Sequence, residues 1–236
     1  MESLRYEYRF RFPNGREVRF PVELEGATLS PLKNPPPVLP DWTRLDFHQC
    51  EGCPLSLDEQ DYCPLAGRIE PLVEHMSDVV SIDEMRVTVI LDERTVTRDA
   101  TAQEGISSLM GILVATSGCP STAFLKPMAR FHLPFASLEE TFYRAASMYM
   151  LGQYYRWQNG LSADLEMKGL FRFYASLAEV NTGMANRIRS IRREDSAVNA
   201  IVLLDMFVKG MPNQVEVTLE ELKPLFAPYL SEKNIL

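Results

Sequence analysis

A chain of 236 residues that is 46% hydrophobic can bury a sizeable core without crosslinks, and its 24 basic and 32 acidic residues give a formal net charge of −8. Such a balance offers no sequence-independent grip on phosphate, which argues against nucleic acid and anionic membrane as partners. The apolar stretches break before spanning length, the first residues carry no apolar signal core, and the expected compartment is the cytoplasm.

Residues 4–12 alternate, with Leu4, Tyr6, Tyr8, Phe10 and Phe12 on one side and Arg5, Glu7, Arg9 and Arg11 on the other. That period predicts a half-buried strand. Pro13-Asn14-Gly15 supplies a turn, and Val18, Phe20, Val22 and Leu24 resume the alternation, so the chain opens with a β-hairpin. Seven of the 16 prolines then fall between 31 and 64, Pro35-Pro36-Pro37 among them. Proline lacks an N–H, so this segment is expected to be an irregular loop. Ordering it costs about 1–2 kcal/mol per residue in backbone entropy, and something must fix it.

Three of the four cysteines lie in that segment, in His48-Gln-Cys50-Glu-Gly-Cys53 and at Cys63; the fourth is Cys119. A Cys-x2-Cys pair lets two thiolates reach one ion from a tight turn, and a third Cys from the same loop leaves one ligand to find. Cys119 is the preferred fourth ligand and His48 the alternative. The expectation is a structural zinc site on Cys50, Cys53, Cys63 and Cys119, with a [4Fe–4S] cluster on the same ligands as the second choice, since Cys53, Cys63 and Cys119 each precede proline. Unliganded buried thiols are the bland account.

Ile69, Leu72, Val73 and Met76 step at helical spacing over 67–76, and Val87, Val89, Leu91, Thr95 and Thr97 predict a second hairpin. From 101 onward the pattern is helical. Thr101-Ala-Gln-Glu104, Ser137-Leu-Glu-Glu140 and Thr218-Leu-Glu-Glu221 each read as a capping box opening a helix, and Gly118 reads as a helix stop. The 137–160 helix spreads Phe142, Tyr149 and Trp157 over more than one stripe, which predicts a central helix. Leu170, Tyr174, Leu177, Asn181, Met184, Ile188 and Ile191 form a long seam with one polar member. Asn181, Asp205 and Arg144 are candidates for a shared buried polar pocket, where a register-fixing hydrogen bond is favoured over a ligand site. Arg187, Arg189, Arg192 and Arg193 read as a solvated helix end, with docking of an acidic partner as the alternative.

Catalysis has one weak candidate pair, Cys119 as nucleophile and His132 as base. Cys119 follows the end of its helix, where the dipole disfavours a thiolate, and His132 between Phe131 and Leu133 reads as a packing histidine.

The Cys50/Cys53/Cys63 loop, Ser117-Gly-Cys119-Pro and Arg130-Phe-His132-Leu-Pro-Phe135 together resemble a bacterial family of uncharacterised proteins, a domain of unknown function. That resemblance implies that the whole chain is one unit and brings no activity with it. The expected fold is α+β: two N-terminal antiparallel hairpins in a small sheet, a proline-rich cysteine loop over 42–66, and a C-terminal helical bundle. Residues 1–236 are expected to form one integrated domain, mainly β over 1–100 and helical over 101–236. The expected function is a metal-binding interaction or regulatory module with an unidentified protein partner; the alternative is an iron–sulfur oxidoreductase or a thiol-dependent catalyst.

Overall fold

Tyr6, Tyr8 and Phe10 are buried while Arg5, Glu7, Arg9 and Arg11 alternate with them and are less buried, and this alternation becomes strand β1 (Leu4–Arg11). At the turn, Gly15 takes φ +87, a conformation costly for a residue with a Cβ, and the Arg16 N–H is received by Asn14 Oδ1 at 2.9 Å. Strand β2 (Glu17–Leu24) returns antiparallel, with Tyr8 opposite Phe20. Strands β3 (Glu84–Leu91) and β4 (Thr95–Thr101) form the second hairpin, and β1 pairs with β3, so the sheet order is β2-β1-β3-β4. Pro21 sits on the edge strand β2, where a missing N–H leaves no ladder position empty. The computed structural model describes residues 3–33, 38–191 and 196–231; the Pro35-Pro36-Pro37 run, Arg192, Arg193 and Asp195 lie outside them.

Helix α1 (Pro64–His75) buries Leu65, Ile69, Leu72 and Val73. Helix α2 (Ala102–Ala115) begins at the expected capping box, where the Thr101 N–H and hydroxyl both donate to the Glu104 carboxylate at 2.9 Å. It is buried on most sides and lies against the sheet through Gly105. A Cβ there would stand 2.9 Å from Val87 Cγ2 and 3.0 Å from Phe10 Cε1, so the close approach requires glycine. Gly118 takes φ +89 just past the helix end. A short 3-10 segment (Pro120–Leu125) and helix α3 (Lys126–Arg130) lead to α4 (Leu138–Gln158), opened by the Ser137/Glu140 capping box. Helices α5 (Lys168–Ser190) and α6 (Ser196–Leu222) follow, and the chain finishes with a 3-10 turn and α7 (Ala227–Leu230).

The fold class is the α+β arrangement expected, but three helical expectations need correction. Thr218 does not open a helix, because α6 runs unbroken through it to Leu222. Helix α4 is not central: it buries Phe142, Ala145, Ala146 and Tyr149 but leaves Leu151, Tyr154, Tyr155 and Trp157 exposed. The central place belongs to α6, which packs against α2, α4 and α5. Finally, Arg187 is no solvated helix end, since it is 1% exposed. Among the described residues no single helix is long and apolar enough to cross a membrane.

Candidate functional site

The cysteine loop is held by Arg187 from helix α5. Its Nη1 donates to the carbonyls of Trp42 at 2.9 Å and Arg44 at 2.6 Å, and its Nη2 donates to Leu45 at 3.0 Å. A planar guanidinium suits this task because its donors diverge at fixed angles toward several carbonyls. The bridge between Arg44 and Tyr62 closes the other side of the loop, and the Cys63 N–H donates to the Thr43 carbonyl at 2.8 Å. The loop therefore has the anchor that an ion was expected to provide.

The metal expectation does not hold. All four cysteines are free thiols, with Cys63 and Cys119 buried and Cys50 and Cys53 half-buried. They are near enough for Cys63, Cys53 and Cys119 each to raise the pKa of Cys50. Among the described residues, however, no group of three or more His, Cys, Asp or Glu side chains is disposed to hold a metal ion. Burial is the main cause that pushes the Cys50 thiol up to about 12. The four-cysteine zinc module is corrected to four free thiols, two buried and two half-buried, that form no metal-holding group among the described residues. His48 likewise joins no metal-holding group, and its ring lies edge-on to Phe47.

No hydrogen bond joins Cys119 to His132 among the described residues. Burial raises the Cys119 pKa, although the N–H groups of Ser121 and Thr122 oppose it. His132 belongs to a different neighbourhood, packed against Tyr6 and Tyr8. Burial, helped by the charge of Arg144, lowers its pKa to about 3, so it is a neutral imidazole and a poor base near neutral pH.

His132 instead belongs to the wall of a cavity of about 520 Å³ formed by α2, α4, α5, α6 and the segment around α3. Most of the wall is apolar, with Val114, Leu125, Met128, Leu133, Leu177, Leu204 and Val208 contributing. The polar groups are few and are held in place from behind. Tyr8 Oη lies 2.6 Å from His132 Nε2 and 2.9 Å from Ser108 Oγ, which also receives the Phe135 N–H at 3.3 Å. With a neutral imidazole and a phenol whose pKa burial drives upward, the chain is satisfied when Ser108 donates to Tyr8 and Tyr8 donates to His132. Phe135 takes φ +59, an uncommon conformation for a bulky side chain, and Arg98 lies 5.4 Å from its ring centroid at the cavity rim.

Two polar groups of the wall are unlike the rest. Arg144 Nη2 donates to the carbonyls of Met128 at 3.0 Å and Phe131 at 2.7 Å, and no carboxylate forms a salt bridge with it among the described residues. Asn181, on α5, is 4% exposed, and its Nδ2 has no hydrogen-bond partner among the described residues. Leaving such a group unanswered typically costs about 1–3 kcal/mol, which marks the position as one a ligand would relieve. Gly111 of α2 also lines the cavity, and a Cβ there would meet nothing within 4 Å.

A family model described as a domain of unknown function (DUF6901) matches residues 6–227. The chain belongs to that family. No curated protein and no solved structure matches it. The family thus adds its boundaries, which take in the sheet, the cysteine loop and the cavity alike, and leaves the activity to be argued from the site.

Sequence reasoning grouped Asn181, Asp205 and Arg144 as candidates for one polar pocket; Asn181 and Arg144 line this cavity, and Asp205 is not among its lining residues. It missed Tyr8, Ser108 and Gly111. Tyr8 and Ser108 are ordinary members of a strand and a helix, and only the tertiary fold brings them to His132. A larger cleft of about 570 Å³ beside β3 and β4 is lined by Arg86 and Asp99, which already pair with one another at 2.8 and 2.9 Å.

Proposed function

We propose that the protein binds a small, largely apolar molecule in the cavity between α2, α4, α5 and α6. The observation that carries this reading is the Asn181 amide, buried, without a partner among the described residues, and in the wall of a cavity of about 520 Å³. Ligand sites typically fall at about 300–1,000 Å³, with apolar walls and a few placed polar groups. The hydrogen-bonded set of Phe135, Ser108, Tyr8 and His132 supports the reading, because it fixes one wall through strand β1. Four free thiols favour a reducing compartment, so the cytoplasm is where we place the protein's work. The hydrophobic cluster shared by sheet and helices supports folding as one unit.

The test uses the neutral fluorescent probe N-phenyl-1-naphthylamine. Its emission should rise on mixing with the wild-type protein and stay at the buffer level with Gly111→Leu, whose new side chain would enter the cavity from α2. A Gly111→Leu variant that melts cooperatively and still binds the probe as the wild type does would overturn the reading, as would a wild-type protein that binds none.

A further inference from the structure

Arg144 distinguishes the cavity from a plain apolar hole. A guanidinium carries five N–H donors, and the two on Nη2 are answered by Met128 and Phe131; Nε and Nη1 have no hydrogen-bond partner among the described residues. The carboxylates of Glu140 and Glu104 are committed to other groups. Glu140 accepts the Ser137 N–H at 2.7 Å in the capping box of α4. Glu104 holds the Thr101 N–H at 2.9 Å, and Arg98 stands 3.5 Å from its carboxylate. Resting on the cavity reading above, the geometry points to an amphipathic monocarboxylate as the ligand, with its carboxylate received by the free donors of Arg144 and its apolar body against Leu177, Leu204 and Val208.

One arginine and one amide suit a single negative charge. A phosphate monoester carries more charge and more acceptor oxygens than these donors answer. A carboxylate on an aliphatic chain satisfies both halves of the wall. An alcohol of the same length leaves the cation unanswered, and an amine sets like charges against each other. His132 adds no charge, because it is neutral near pH 7. In a chain of formal net charge −8, the attraction must come from this local cation and not from the overall field.

The experiment is isothermal titration calorimetry with decanoate, decanol and decylamine at pH 7.5, below their micelle concentrations, on wild type, Arg144→Gln, Arg144→Lys and Gly111→Leu. Decanoate should bind wild type at least about tenfold more tightly than decanol, which is about 1.4 kcal/mol. Arg144→Gln should remove that preference while decanol binding stays within about threefold, and Arg144→Lys should keep part of it through its point charge. Gly111→Leu should lose both ligands. Thermal melts confirm that each variant is folded, and Arg144→Lys keeps the test decisive if Arg144→Gln is not. Equal affinity of wild type for decanoate and decanol, or a preference that survives Arg144→Gln, overturns the carboxylate assignment and leaves the cavity reading standing. Failure of all three probes to bind wild type overturns both.

Discussion

Helix α5 carries two buried polar residues, Arg187 and Asn181, whose surroundings differ. Arg187 reaches out of the helix and donates three hydrogen bonds to the carbonyls of Trp42, Arg44 and Leu45. Asn181, less than two turns earlier, leaves its amide nitrogen beside a cavity and without a partner among the described residues. The contrast separates a polar group that organises a loop from one that faces a cavity. Burial is nearly the same for both, 1% and 4% exposed, so burial alone does not mark a site. Arg187 Nε and Asn181 Nδ2 both lack a hydrogen-bond partner among the described residues, so what distinguishes Asn181 is the open volume beside it.

The comparison can be broken at either end. Arg187→Leu should have the largest effect, because three loop carbonyls lose a charged donor; a loss of at least ~3 kcal/mol is expected. Urea unfolding should show it, and a loss below about 1 kcal/mol would place the loop's anchor elsewhere. Next comes pH. The folded pKa of His132 is depressed to about 3 from an unfolded value near 6.5, so the unfolded chain binds more protons between these limits. Stability contributed by the neutral ring is present above pH 6.5 and is lost as pH falls toward 3, with a slope of up to ~1.4 kcal/mol per pH unit. His132→Gln should flatten the stability profile between pH 6.5 and 5, and a profile unchanged by that substitution would count against a buried neutral imidazole.

Smaller effects set the two glycines of α2 against each other. Gly105→Ala forces a methyl into Val87 and Phe10 and should destabilise by about 1–3 kcal/mol. Gly111→Ala meets open space and should stabilise by about 0.5–1 kcal/mol through helix propensity. Thermal melts of the pair should move in opposite directions; movement in the same direction would mean that the cavity beside Gly111 is not open. Asn181→Leu should be neutral or raise the melting temperature by a few degrees, since it removes an unanswered amide, whereas a structural hydrogen bond at Asn181 would make it a clear loss.

The hairpins, the capping boxes at Thr101 and Ser137 and the buried seam of α5 were legible in the sequence, because each rests on a local period or a fixed offset. The capping pattern at Thr218 misled because a helix already under way tolerates the same residues in its interior. The cysteines misled for a related reason. Spacing within a loop says which side chains approach each other, but says nothing of the buried arginine that fixes the loop from another element. Asn181 was visible as the one polar member of an apolar seam, and its reading as a register device assumed a partner for its Nδ2 that is not found among the described residues. Tyr8 and Ser108 are separated by about a hundred residues, and no local pattern encodes their meeting.

Tyr8 carries a consequence for assembly. It stands in β1 between β2 and β3, and a shift of one residue in the pairing of that strand would turn its side chain to the opposite face of the sheet. The cavity wall would then lose the hydroxyl that joins Ser108 to His132, a residue 124 positions further along the chain. The cavity wall is therefore complete only when strands and helices from both halves have found their register. Ligand binding would accordingly report on the whole chain's native topology, and a fragment with normal secondary structure but no correctly registered β1 should bind nothing.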